Sequence, residues 1–282
     1  MKHVAFPTAG RVAQHVLGMA ECGWRGLSEG WLLRHLGDVH WAQIAQAMGQ
    51  SVAVFRDEAG APVYAAFCAI GVNVAQPGLA RPGASLTITS RLCRVSATRL
   101  MSVHGLSIDG MRFGDVTMIT TFVRHDPSGR NAQIQRVQPC GILTVPMMEP
   151  GADGGLIEAA ARLYRQTDTE TCDHVVDVTP CPTTDFNAAG LLYCANYPML
   201  ADRAEWALAR GSAQGYLTRR LIVFLGNVDP AEPVTACLWA DGASRGESHR
   251  ITLSSQDRVI ARIITAKSSC IIRTRVSSRH RR

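Results

Sequence analysis

Few residues in this chain sit at spacings that announce chemistry. Cys172 and His174 are two apart, and Cys181 follows soon after. A zinc site needs a fourth ligand at a familiar spacing, and none is in place, so no metal is expected. The nine cysteines include no CxxC and read as reduced, mostly buried small hydrophobes. GxxxxGK[ST], GxGxxG after a strand and HExxH are all missing, which removes the cheapest signatures of several common enzyme classes. What remains is a handful of polar residues at the ends of elements. Asp185 and Asn187 precede an apolar run, where both types cap a helix by default. Asp185 can also act as an acid or base, and Asn187 can offer an amide N–H to a developing negative oxygen. Asp38 and His40 are two apart inside a helical stretch, so only one of them can face a site. Asn227 and Asp229, in GNVDP, most simply form a turn.

The elements around these residues follow from periodicity. Residues 1–25 read as irregular. Leu27–Met48 reads as a helix with Ser28 as N-cap, Glu29 in its first turn and Gly49 as its stop. Strand-like runs follow at Ser51–Arg56, Val63–Val74, Ala84–Val95, Arg99–Ile108 and Arg112–Val123, with a hairpin at Asp109-Gly110. Residues 126–170 read as a linker with one short helix, Leu156–Arg165. The first pattern then returns. Cys172–Thr179 is strand-like, and PCPTTDFN leads into a helix from near Asn187 to about Arg210. Strand-like runs follow at Leu217–Leu225, Val234–Ala240, Glu247–Ser254 and Val259–Thr265. Leu32-Leu33 through Trp41 aligns weakly with Leu191-Leu192 through Trp206, which suggests a repeat of about 150 residues. One long helix laid across an antiparallel sheet, twice over, is an α+β tandem of hot-dog units. The expected divisions are an N-terminal unit over 1–125, the linker over 126–170, a C-terminal unit over 171–266 and a basic tail over 267–282.

Composition limits the partners. The chain has 282 residues, is 46% apolar and carries a net charge of +6. Five of its arginines lie in the last ten residues, and without these ten the balance falls to +1. A nucleic-acid binder needs a basic face on the fold itself, so no nucleic-acid partner is expected. No apolar run is long enough to span a membrane as a helix, and the opening residues do not form a signal-peptide core. A cytoplasmic protein, monomer or homodimer, is the expectation.

PCPTTDFNAAGLLYCANYPMLADRAEW, with GLSEGWLLRHLGDVHW, VYAAFCAI and FLGNVDP, resembles a family of biosynthetic double-hot-dog proteins. That family includes the bifunctional acyltransferase/decarboxylase of leinamycin biosynthesis. The resemblance runs from about Gly18 to Ala266. It implies acyl transfer from malonyl-CoA or methylmalonyl-CoA, with decarboxylation, to the phosphopantetheine of an acyl carrier protein in polyketide assembly. It also implies an acyl-enzyme on tyrosine, for which Tyr64 is the candidate; if the family tyrosine falls further along this strand, Cys68 is a thiol alternative. No cofactor is implied beyond the CoA substrate and the carrier's phosphopantetheine. Asp185, Asn187 and His40 are then candidate catalytic groups. Arg219 and Arg220 are candidates for CoA phosphates, and Asn227 for the pantetheine entrance. Two rival functions remain: a hot-dog thioesterase or dehydratase using Asp185 or His40 as base, and a noncatalytic module that binds a carrier protein.

Overall fold

The computed structural model describes residues 10–167, 171–208, 215–240 and 248–268. The first half contains β1 (Arg11–Val16), α1 (Glu29–Ala47), β2 (Pro62–Val74), β3 (Ser85–Ser96), β4 (Arg99–Ile108) and β5 (Met111–Arg124). A connection carrying α2 (Leu156–Arg165) leads to β6 (His174–Val178), α3 (Tyr197–Leu208), β7 (Tyr216–Phe224), β8 (Val234–Ala240), β9 (Ser248–Ser255) and β10 (Arg258–Ser268). All ten strands join one antiparallel sheet in the order β1-β3-β4-β5-β2-β7-β10-β9-β8-β6. Taken from either outer edge, the two halves of that order are the same: first, third, fourth, fifth and second strand. The second strands, β2 and β7, pair with each other from Arg219↔Asn73 to Val223↔Ala69.

Local chemistry explains the elements. Ser28 Oγ accepts the Trp31 amide at 3.3 Å and caps α1. Leu32, Leu33, Leu36, His40 and Ile44 make its buried stripe, and Gly49 stops it at φ +71°. The β4–β5 turn has both Asp109 and Gly110 at positive φ, as a tight two-residue hairpin requires. At Gly114 a Cβ would sit 2.1 Å from the Asn73 carbonyl oxygen, so only glycine lets β5 lie this close to β2. Both long helices lie against one face of the sheet. Leu33, Leu36, Ile70 and Val116 belong to the same apolar cluster as Leu200, Ala204, Ile222 and Ile251. On the other face α2 presses Leu156 and Leu163 against Ala69, Ile119, Leu221 and Val223.

Several sequence expectations need correction. Residues 11–16 form an edge strand, too short and polar to read as one. Of Ser51–Arg56 only Phe55–Arg56 pairs, with Val63 and Pro62. The second long helix begins at Tyr197, not near Asn187. Gly190 at φ +71° and the side chain of Asn187 turn the apolar stretch 187–193 into a loop. Leu191 and Leu192 are therefore buried loop residues, and the weak alignment of the two helices does not hold there. The expected linker returns to the sheet at Gln135–Arg136, which pairs with Arg124 and Val123. The tail beyond residue 268 lies outside the described residues.

Candidate active-site cleft

The seam between the half-sheets leaves a window. Strand β2 pairs with β5 along its whole length from Tyr64 to Val74. On its other edge, pairing with β7 stops at Ala69, and the next bridge is Val63 with Phe55. The edge from Tyr64 to Cys68 thus faces no strand. It faces a cleft of about 580 Å³, closed by the 187–194 loop, the Phe224–Asn227 turn and residues 131–136. The deep wall is aromatic. Trp41 lies 5.7 Å from Phe67 and 6.1 Å from Tyr193, and Tyr197 stands edge-on to Phe224 at 5.0 Å. The Trp41 indole donates to the Ala65 carbonyl at 2.9 Å and takes one acceptor of the open edge.

Three asparagines hold the rim. Asn187 Oδ1 accepts the amides of Ala189 and Leu191 at 3.0 and 3.1 Å. Asn227 Oδ1 accepts the amides of Leu192 and Val228, and its Nδ2 donates to the Leu192 carbonyl. Asn131 is buried. Its Nδ2 donates to the carbonyls of Gly190 and Val228, both at 2.7 Å, and its Oδ1 lies 2.9 Å from His125 Nε2. Two carbonyl acceptors fix the orientation of the Asn131 amide, so His125 carries a proton on Nε2. The loop that closes the cleft is thereby tied to both halves before any ligand arrives. Asn187 also lines the cleft, with its oxygen held in the turn.

The candidate residues separate into those the fold brings to this cleft and those it does not. Tyr64, Cys68, Asn187 and Asn227 all line it. Tyr64 is half-buried, with its ring edge-on to His125 at 5.8 Å. Cys68 is the extra residue of a β-bulge between Phe67 and Ala69; burial pushes its thiol up, against the opposing charges of Arg99 and Arg136. Burial likewise pushes Cys194 up to about 12 and raises the phenols of Tyr193 and Tyr197. Tyr197 in addition donates its hydroxyl to the Gly226 carbonyl at 2.8 Å.

His40 is not in the cleft. It is fully buried, with Nδ1 2.8 Å from Ser102 Oγ and Nε2 2.8 Å from Thr120 Oγ1. Burial, with His104 nearby, pushes it down to about 3, so it is a neutral packing group. Asp38, its neighbour, is exposed. Asp185 accepts the Cys181 amide at 2.7 Å and lies 3.7 Å from Arg203; it closes the single helical turn Pro182–Asp185 outside the cleft. Arg219 and Arg220 point to opposite faces of β7, as strand alternation demands. Arg220 is buried, 2.9 Å from Glu29 and 2.8 Å from Asp202, so it ties α1 to α3 and cannot meet a coenzyme phosphate. Arg219 is exposed, beside α2 in a groove shared with Arg162 and Arg165. Asp229 accepts the Asn131 amide at 2.8 Å and supports the rim.

Sequence reasoning missed Arg136 and Asn131, both in the stretch taken as a linker, and His125, at the end of the expected N-terminal unit. Arg136 is the charged side chain of the cleft lining; that lining, among the described residues, includes no carboxylate and no imidazole. The signal was available in part: ITTFVRHD ends a strand, and a turn of DPSG type after it allows the chain to fold back alongside.

No family model matches the sequence, and no curated protein matches it. Solved structures do match the fold. A 12:0-ACP thioesterase from Umbellularia californica superposes with a TM-score of 0.68 at 11% identity, covering 92% of this chain and 97% of that one. An acyl-ACP thioesterase from Bacteroides thetaiotaomicron gives 0.62 at 10% identity, covering 92% and 98%. A MaoC-like dehydratase from Phytophthora capsici gives 0.50 at 11% identity, covering 93% and 96%. The chain therefore has the hot-dog fold. Among the described residues no helix is long and apolar enough to cross a membrane.

Proposed function

We propose that the protein is an acyl-thioester enzyme, and that the cleft in the seam receives the acyl group and thioester of a pantetheine arm borne by a carrier protein or by CoA. The observation that carries this reading is the position of the cleft: a largely apolar cavity of about 580 Å³ at an open strand edge, with Tyr64, Asn187, Asn227 and Arg136 among its polar groups. The repeated strand order supports reading the chain as two hot-dog units in tandem in one polypeptide. Names of neighbouring structures support hydrolysis or dehydration of a carrier-bound acyl group as the reaction class. Water would attack the carbonyl carbon, the thiolate would leave, and Asn187 Nδ2 would donate to the oxygen that gains charge.

A second reading is favoured by one feature. Hydrolysis needs a base, and the described lining holds neither carboxylate nor imidazole. Decarboxylation of a malonyl-type thioester needs none. The bond to the carboxylate breaks, CO2 leaves, and the electron pair moves onto the thioester oxygen as an enolate. In its acyl-enzyme form, the Tyr64 oxygen or Cys68 sulfur first attacks the carbonyl carbon and gives its proton to the departing CoA thiolate. CO2 is then lost from the resulting ester or thioester, the enolate carbon takes a proton from water, and the carrier's thiol takes the acyl group as the Tyr64 or Cys68 side chain leaves.

Incubation with malonyl-CoA, methylmalonyl-CoA and a medium-chain acyl carrier protein separates these. Thiol release with no change in protein mass identifies hydrolysis. An adduct mapped to Tyr64 or Cys68, losing CO2, identifies transfer with decarboxylation, and Tyr64→Phe then abolishes or spares it. Tight carrier binding with every thioester intact overturns both in favour of a binding module.

A further inference from the structure

We infer that Arg136, with Arg99 beside it, forms an anion-recognition lip on the cleft, so that the preferred thioester carries a phosphate or carboxylate group. The inference deepens the thioester reading and rests on it.

The register places the two guanidinium groups together. Tyr64 pairs with Val123, and Val123 pairs with Arg136. Ala66 pairs with Thr121, and Thr121 pairs with Arg99. Cross-strand partners share a face, and Val123 and Thr121 are two apart, so both rows lie on the same face of the sheet. Each row runs from the open edge of β2, across β5, to an arginine. At about 4.8 Å per strand, each arginine backbone is roughly 10 Å from that edge, and an extended side chain reaches back over β5 toward it. Tyr64, Ala66, Thr121, Val123 and Arg136 all line the cleft. The two cations, about 6.6 Å apart along the strand direction, therefore bracket its outer lip.

Nothing anionic among the described residues claims them. Neither Arg99 nor Arg136 has an ion pair among the described residues, and both are exposed. His125 faces the same patch, edge-on to Tyr64 at 5.8 Å. Asp57, near the end of β5, is taken by Arg124 at 2.6 Å and by the amides of Ala59 and Ala61. Arg136 and Arg99 act on Cys68 from this side, which marks their field as reaching into the cleft. A purely apolar acyl chain gains nothing from such a lip. A pantetheine phosphate at the mouth gains a charged partner, as does an acyl carboxylate turned outward from the thioester.

The test uses four ligands in hydrolysis-resistant thioether form: acetyl-type and malonyl-type groups, each on pantetheine and on CoA. Binding to the full chain is read by tryptophan fluorescence, since Trp41 lines the cleft. The expected result for Arg136→Ala is about tenfold weaker binding of the anionic ligands, unchanged binding of the acetyl-pantetheine thioether, and partial recovery in Arg136→Lys. Arg99→Ala shows the same pattern to a smaller extent. A loss that follows CoA regardless of acyl group assigns the phosphate; a loss that follows malonyl on pantetheine assigns the carboxylate. Equal losses for all four ligands, or none, overturn the lip while leaving the thioester reading in place. If the unaltered protein binds none of the four, the thioester reading itself fails and takes the lip with it.

Discussion

The two halves of the sheet share an order of strands but fill the space under their helices with different chemistry. In the first half, α1 presents His40 to the fourth strand, where Ser102 and His104 continue a neutral chain: Thr120, His40, Ser102, His104 and Ser90 are linked by successive contacts of 2.8 Å. In the second half, α3 presents Glu205 to its own fourth strand, where His249 meets it at 3.2 Å; Lys267 pairs with Glu205 as well. Both helix positions are fully buried. Burial wins in one case and pairing in the other. Desolvation drives His40 and His104 down to about 3. Glu205 is pushed up by burial, but the hydrogen bond from His249 and the charge of Lys267 overcome this and hold it down at about 2. One topology thus admits a neutral or an ionic interior, provided every buried polar atom finds a partner.

The contrast predicts unequal responses. The largest is expected for Glu205→Leu, which removes the buried carboxylate between His249 and Lys267 and leaves Lys267 with Asp202 at 3.3 Å. A loss of about 3–5 kcal/mol in urea unfolding is expected, and a loss below about 1 kcal/mol would put the two interiors on a par. Acidification comes next and acts on the other half. An unfolded imidazole titrates near 6.5 and these two near 3, so the unfolded chain takes up protons first as pH falls. Their contribution is complete above pH 6.5 and declines from there toward 3. Between pH 7 and 5 it falls by about 2 kcal/mol per imidazole. The depressed Glu205 loses its contribution only from about 4.5 down toward 2, so that window isolates the imidazoles from it. Unfolding curves of the unaltered chain and His104→Asn across this range should differ in slope, the variant being flatter.

Ser102→Ala should cost less, about 1–3 kcal/mol, because it orphans one nitrogen on each of two neutral rings without stranding a charge. Smallest of all is Asp185→Asn. It lies outside the cleft, and its carboxylate serves a backbone amide that an amide oxygen also satisfies. Turnover of any thioester substrate should change less than about twofold, whereas a role as general base predicts a loss of at least a hundredfold.

How far the sequence disclosed this depends on the kind of signal. Periodicity and turns carried the strands: Arg99–Ile108 and Val234–Ala240 stand at the expected bounds, and so does the helix Leu156–Arg165. Ser28 and Gly49 bounded the first helix because capping is local. The start of the second helix was illegible for the opposite reason. The run AAGLLYCA has helical composition, and what bends it is tertiary: Asn227 takes up both the amide and the carbonyl of Leu192 from another segment. Tyr64, Cys68, Asn187 and Asn227 line one cleft, and the resemblance followed the segments that carry them. Arg136 could not, because its meaning comes from lying two strands from Tyr64. Arg219 and Arg220 show the limit of reading neighbours together: alternation guarantees that only one of them faces inward, and the burial partners Glu29 and Asp202 decide what that one does.

The pairing of β2 with β7 sets a strand beside its own counterpart, antiparallel, as two identical subunits related by a two-fold axis would set theirs. In such a dimer every substitution is made twice, once on each side of the axis. Here each position is inherited singly. The aromatic floor and the arginines at the seam can therefore change without imposing the same change on the far half, and an imidazole chain can persist under one helix while an ionic cluster develops under the other.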